Sequence, residues 1–158
     1  MSPPSHPMRR QDRELSEPEA MGLLQEAEWG VLATVDEDGW PYAVPVNHVM
    51  VEGELIIHCA TVGHKLDNLA FNAKVSYCVV TVAETLPLDL ATRYASAIAF
   101  GRAELLTDDQ AKCKALRALG LRFAKEHPDL VEREIEQDLG RTAVLRIHME
   151  RITGKARR

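Results

Sequence analysis

Leu55-Ile56-Ile57-His58-Cys59-Ala60-Thr61-Val62-Gly63-His64-Lys65-Leu66 is the stretch on which the reading of the fold turns. The apolar run Leu55-Ile56-Ile57 leads into Gly63-His64-Lys65, where a short helical pattern starts with Leu66, Leu69 and Ala70. A strand, a small-residue turn and a helix start thus meet at two groups that can carry positive charge. Such a junction suits an anion such as a phosphate. Backbone N–H groups are unpaired at a helix N-terminus, the helix dipole favours negative charge, and Lys65 adds a full positive charge. Taken alone, so short a motif reads first as a surface turn with a solvated Lys65. The sequence on either side gives it weight.

Upstream, Ser16-Glu17-Pro18-Glu19 is a capping box with an early proline, followed by Met21, Leu24 and Ala27 at helical spacing. It predicts a helix of about three turns ending near Trp29-Gly30. Val31 to Val35 reads as a strand, Asp36-Glu37-Asp38-Gly39 as a turn, and a second strand starts around Trp40. Pro41 and Pro45 cannot donate ladder hydrogen bonds, so that strand is an edge, carries a bulge, or faces something other than a neighbouring strand. Val49 to Val51, the Glu52-Gly53 turn and Leu55 to Cys59 form a further hairpin.

Downstream of the helix at His64 to Phe71, Val75 to Val82 is a mostly apolar strand. Ala83 to Thr92, with Pro87, has no periodicity and reads as a loop. Tyr94 to Leu106 is extended again, with a bend or bulge expected at Gly101. Thr107-Asp108-Asp109-Gln110 is a second capping box, opening a helix with Leu116, Leu119 and Phe123 that stops before Pro128. Leu130 to Leu139 is amphipathic and ends at Gly140, and Ala143 to Met149 alternates as a last strand. About six strands, mostly joined by short turns, accompany helices early, midway and late. The expectation is α+β: an antiparallel sheet closed or half-closed into a barrel and flanked by helices.

The chain has 158 residues, with 46% hydrophobic and 27% charged, which suits one domain able to bury its own core. We read residues 1–14 as a flexible tail and 15–158 as that domain. A net charge of -5 without a long Lys/Arg run argues against nucleic-acid binding. No apolar stretch approaches the roughly 20 residues needed to span a bilayer, so no membrane association is expected. Met1 to Pro7 lacks the apolar segment of a signal peptide, and the expected compartment is cytoplasmic. Cys59, Cys78 and Cys113 indicate neither a disulfide framework nor a C-x-x-C metal site. No metal is expected.

Gly39-Trp40-Pro41-Tyr42-Ala43-Val44-Pro45-Val46-Asn47, read together with His58 to Asn68, resembles the flavin-binding split-barrel superfamily of pyridoxamine 5′-phosphate oxidase. Within it, the chain is most similar to the nitroimidazole-resistance branch, whose members are of the nitroimidazole reductase type. Met8 to Glu14, Thr92-Arg93-Tyr94-Ala95-Ser96 to Phe100-Gly101, and Ile152-Thr153-Gly154-Lys155 extend the match along nearly the whole chain in the family's order. The resemblance implies a six-stranded antiparallel split β-barrel flanked by helices, a homodimer, and FMN in two equivalent grooves between the subunits. Two positions depart from the pattern near the expected pocket: His48 stands where an aromatic such as tyrosine is usual, and Ala95 replaces a larger residue.

Carried over residue by residue, the resemblance makes Lys65 a partner of the FMN phosphate. His64 becomes either a second phosphate donor or a group facing the flavin ring, as substrate ligand or as the donor that hands a proton to a reduced acceptor, a task suited to imidazole near neutral pH. Pro45, Val46 and Asn47 would line the flavin ring, and His58 and Ala60, two apart on one face, would sit beside it. Tyr94 and Ser96 would reach flavin or phosphate oxygens. Each also has a plain structural reading, as an irregular edge strand, a core alanine or an ordinary strand residue. The implied activity is FMN-dependent reduction of a small organic acceptor, nitroimidazole or nitroaromatic, by electrons from reduced nicotinamide or another donor. With no Gly-x-Gly-x-x-Gly fingerprint, any nicotinamide binds transiently. The alternatives are a non-catalytic flavin- or haem-binding protein and a deazaflavin-dependent reductase of the same fold.

Overall fold

The computed structural model describes residues 2–3 and 5–158. Met1 and Pro4, in the segment expected as a tail, lie outside the described residues. After a 3-10 turn at Gln11–Arg13, β1 (Glu14–Leu15) leads into helix α1 (Glu17–Glu26). The Ser16 capping box forms as the sequence predicts: its hydroxyl accepts from the Glu19 N–H, and the Glu19 carboxylate accepts from the Ser16 N–H at 2.9 Å. Strands β2 (Trp29–Val35), β3 (Pro41–Asn47), β4 (Val49–Val51) and β5 (Glu54–Ala60) precede the short helix α2 (His64–Phe71). Two long strands follow, β6 (Lys74–Leu86) and β7 (Ala91–Leu105), then α3 (Asp109–Phe123), α4 (Pro128–Asp138) and β8 (Thr142–Arg157).

All pairings are antiparallel, in the order β3-β2-β6-β7-β8-β5-β4, with β1 added on β8. β3 and β5, near opposite ends of that order, come back into contact, so the sheet curls into a split barrel. The expected α+β split barrel is correct. Its six long strands are β2, β3, β5, β6, β7 and β8; the two short pieces, β1 and β4, bring the total to eight.

Leu24, Leu32, Leu55, Ile57, Tyr77 and Leu145 fill the inside of the curl beneath α1. A second cluster, including Ile56, Ala115, Leu119 and Val144, joins α3 to the outer face of the sheet. Leu55-Ile56-Ile57 is a continuous apolar run because β5 is covered on both faces there. Arg122 of α3 ties the layers together, its guanidinium donating to the carbonyls of Gln25 at 2.8 Å and Ala27 at 2.7 Å at the end of α1.

Several boundaries differ from the sequence reading. α1 stops at Glu26, and Trp29 and Gly30 instead pair with Asn47 and Val46 in the sheet. A Cβ on Gly30 would meet the Tyr77 ring at 2.6 Å, so the glycine is there for close approach rather than to end a helix. Ala83 to Thr92 is not a loop: β6 and β7 pair out to Leu86↔Ala91 and turn through Pro87–Asp89. Both faces of this arm are largely exposed, which erases the alternation that marks a half-buried strand. β8 runs past Met149 to Arg157, its half-buried far end pairing with β7 and β1, and the mostly polar residues there, with Gly154 close against Ala20, give no apolar alternation to read. Asp108, not Thr107, caps α3, accepting from the Ala111 N–H at 2.8 Å. The bulge expected at Gly101 is present between Phe100 and Gly101. No helix among the described residues is long and apolar enough to cross a membrane.

Candidate functional site

The barrel splits where β3 leaves β5. β4 pairs with β5 through Val49↔Ile56, but beyond His48 the chain turns away and β3 pairs with β2 instead. Extending the β4–β5 register would set Asn47 against His58 and Pro45 against Ala60, yet no ladder joins them. Each strand therefore turns an unpaired edge of N–H and C=O groups toward the gap. Of the three readings of Pro41 and Pro45, the edge strand is the one observed, since β3 ends the sheet. A residue lacking an N–H is tolerated on such an edge.

The point of divergence is held from inside. His48 is fully buried. Its Nε2–H donates to the Leu24 carbonyl at 2.7 Å, and its Nδ1 lies 2.8 Å from the Tyr77 hydroxyl. The same hydroxyl lies 3.1 Å from the Val46 carbonyl, so one phenol proton serves two acceptors. Burial lowers the His48 pKa and keeps the ring neutral, as this pattern requires; burial also raises that of Tyr77. The expectation that His48 borders the pocket is thus corrected: it faces the core. Val46 likewise turns its side chain to the core, leaving only its backbone for the gap.

The far end of β5 brings four of the expected residues together. His58 and Ala60 lie on one exposed face, and the turn through Gly63 starts α2 with His64 and Lys65. Gly63 has φ 139°, open to glycine and costly to other residues, and a Cβ there would have nothing within 4 Å. No side chain caps α2, whose Leu66 and Asp67 N–H groups both use the Gly63 carbonyl. The first N–H groups of the helix stay open to an external acceptor. Lys65 is half-buried and makes no ion pair among the described residues. Burial raises the Cys59 thiol pKa, and the nearby Lys65 charge partly counters it. Tyr42 of β3 packs its ring against His64, centroids 4.1 Å apart, and a buried hydrogen bond from Asn68 Nδ2 to Thr34 Oγ1 at 2.9 Å fastens α2 to β2. The sequence reading did not single out Tyr42; an aromatic on the strand before Pro45 was its only signal.

Asn47 and His58 also border a cleft of about 540 Å³ between the sheet and the α3–α4 pair. Its walls are Leu116, Leu119, Phe123, Leu130, Val131 and Ile135, and Thr142 stands beside His58. The Asn47 amide donates to the Glu28 carbonyl at 3.1 Å, leaving its oxygen available. Solvent reaches the His58 ring, but the concave wall removes enough water to hold its pKa below the ordinary imidazole value. None of the α3–α4 lining was expected, because helical spacing marks these residues as core and does not show which stay uncovered.

Tyr94 and Ser96 do not join this group. Ser96 pairs with Lys155 of β8, and His58 pairs with Val144 of the same strand. That separation along β8 is roughly 35 Å of extended chain. The Tyr94 hydroxyl lies 3.4 Å from Arg13 Nη1, and Lys155 Nζ sits 5.7 Å from its ring centre. Both cations lower the phenol pKa, Arg13 chiefly through its hydrogen bond.

The family model described as pyridoxamine 5′-phosphate oxidase matches residues 16–156. Among solved structures, a FAD- and haem-binding protein from Mycobacterium smegmatis is 26% identical, with a TM-score of 0.77 over 91% of this chain and 73% of that one. A flavocytochrome from Azotobacter vinelandii is 17% identical, with a TM-score of 0.81 over 97% of this chain and 73% of that one. A provisionally assigned 5-nitroimidazole antibiotic resistance protein from Bacteroides thetaiotaomicron is 20% identical, with a TM-score of 0.74 over 90% and 85%. No curated protein matches the sequence.

Proposed function

We propose that this chain, which belongs to the pyridoxamine 5′-phosphate oxidase family, is a flavin-binding oxidoreductase acting as a homodimer on a small organic acceptor. One observation carries the reading: two unpaired strand edges flank a gap that ends at an uncapped helix start beside Lys65, which has no ion-pair partner among the described residues. The chemistry of FMN fits those donors. Its phosphate would be held by Lys65 and the first N–H groups of α2, and its ring by the edges carrying Pro45, Val46 and Asn47 on one side and His58 and Ala60 on the other. The small side chain of Ala60 and the open space at Gly63 leave room for it. A bound flavin supplies the electron transfer.

His64, exposed and steadied by Tyr42, is our proton donor to the acceptor. Nitroaromatic and nitroimidazole compounds are the acceptors we assign, with reduced nicotinamide as a transient donor. Tyr94 and Ser96 contribute from the second subunit, since on one chain they lie too far from His58. They share the outer face of β7 with Ile98, beside the exposed Val80 of β6, an apolar surface suited to a partner. Haem suits the cleft less well: its propionates would find no lysine or arginine on the lining.

The visible spectrum of the purified protein tests the reading. Flavin absorbance that bleaches anaerobically with reduced nicotinamide and returns on adding a nitro compound supports it. A Soret band or a colourless protein refutes the FMN assignment. Lys65→Ala should release flavin, and undiminished occupancy would remove the phosphate site. Light scattering should give twice the chain mass of 17.6 kDa.

A further inference from the structure

The cleft between β5 and the α3–α4 pair combines a large apolar wall with charge of one sign. Phe123 is 47% exposed and Leu130 39% exposed, although both face into a concavity rather than outward from a convex surface. Its capacity of about 540 Å³ falls within the range of small-molecule sites. Glu134 and Asp138 are the charged residues of the lining, and neither lysine nor arginine is among them. Asp138 is already bound by Arg141 Nε at 2.8 Å, whereas Glu134 makes no ion pair among the described residues. Burial lowers the His58 pKa below the ordinary imidazole value, which works against a positive charge on that ring.

From this combination we infer that the cleft binds a small ring compound bearing a basic nitrogen, with the ring against Phe123 and Leu130 and the nitrogen toward Glu134. Anionic compounds are disfavoured there, because among the described residues Glu134 has no ion-pair partner and the lining holds no lysine or arginine. The phosphate ester in the family's own name would meet the same obstacle. Asn47 and His58 border both this cleft and the strand gap, so among the nitro acceptors of our functional reading those that also carry a basic amine are the ones this cleft favours. That role rests on the flavin reading; the charge preference of the cleft does not.

Benzylamine, benzyl alcohol and benzoate have similar shape and different charge, and their binding to the protein as purified can be compared by calorimetry. Benzylamine should bind at least about fivefold more tightly than benzoate, and Glu134→Gln should weaken benzylamine about two- to fivefold while leaving benzyl alcohol unchanged. Ala124→Phe, which adds bulk inside the lining, should abolish binding of all three with the flavin content and melting temperature kept. Equal binding of benzoate, or insensitivity to Ala124→Phe, overturns the site. So does improved probe binding on Leu88→Glu with Leu90→Glu, because the exposed hairpin tip of a second copy would then be the natural occupant. A colourless protein that passes these tests refutes the flavin reading alone; a yellow one that fails them refutes this site alone.

Discussion

Tyr77→Phe removes a single oxygen from beneath the split and leaves the ring in place. That oxygen lies 2.8 Å from His48 Nδ1 and 3.1 Å from the Val46 carbonyl. The phenylalanine variant leaves both acceptors without their donor, at about 1–3 kcal/mol for each buried group. Val46 lies on an edge strand that water can reach, whereas His48 is sealed, so the His48 contribution dominates. We expect a loss of about 2 kcal/mol, measured by urea unfolding with an unchanged slope. For a chain of this size, that lowers the melting temperature by roughly 4–8 °C. Val79→Ala, at a buried position of β6, serves as a control of comparable cost. Flavin retention should fall further in Tyr77→Phe than in the control, because only the former frees the end of β3 that carries Pro45 and Asn47. A stability change under about 0.5 kcal/mol would refute the reasoning, since the hydroxyl would then not be what holds His48 and Val46.

Gly30→Ala would place a methyl group 2.6 Å from the Tyr77 ring and 2.7 Å from the Cys78 carbonyl. It should cost about 1–3 kcal/mol in a thermal melt; a neutral result would mean β2 and β6 are not packed as described. Arg122→Leu removes the guanidinium that caps α1 and should cost about 2 kcal/mol, with hydrogen exchange accelerating first at Gln25 to Ala27. His148 lies between Glu104, at 2.9 Å, and Glu54, and the hydrogen bond to Glu104 is the main reason its pKa is raised above 6.5. A raised histidine pKa stabilises the folded state fully below the unfolded value, and the contribution fades as pH rises through the folded value. His148→Asn should therefore shrink the stability difference between about pH 6 and about pH 8.5, and an unchanged pH profile would refute the pairing.

The sequence by itself determined most of the frame, because the signals involved are local. The Ser16 box begins α1, Pro41 and Pro45 narrow β3 to three readings of which the edge strand is observed, and the run into Gly63-His64-Lys65 forms the strand, turn and helix start as read. These outcomes depend on the hydrogen-bonding and dihedral limits of a few neighbouring residues. Side-chain periodicity failed in two places: the arm from Ala83 to Thr92 lacks alternation because water covers both sides, and the half-buried end of β8 lacks it because mostly polar residues line it and Gly154 lies close against Ala20 of α1. Tertiary structure alone turned His48 inward onto Leu24 and Tyr77, set Asn47 and His58 on one cleft with α3 and α4, and separated Tyr94 and Ser96 from them along β8. Register and curl decide these relations. Register comes from the pairing of strands distant in the chain, and curl from how their inward faces fill one shared core.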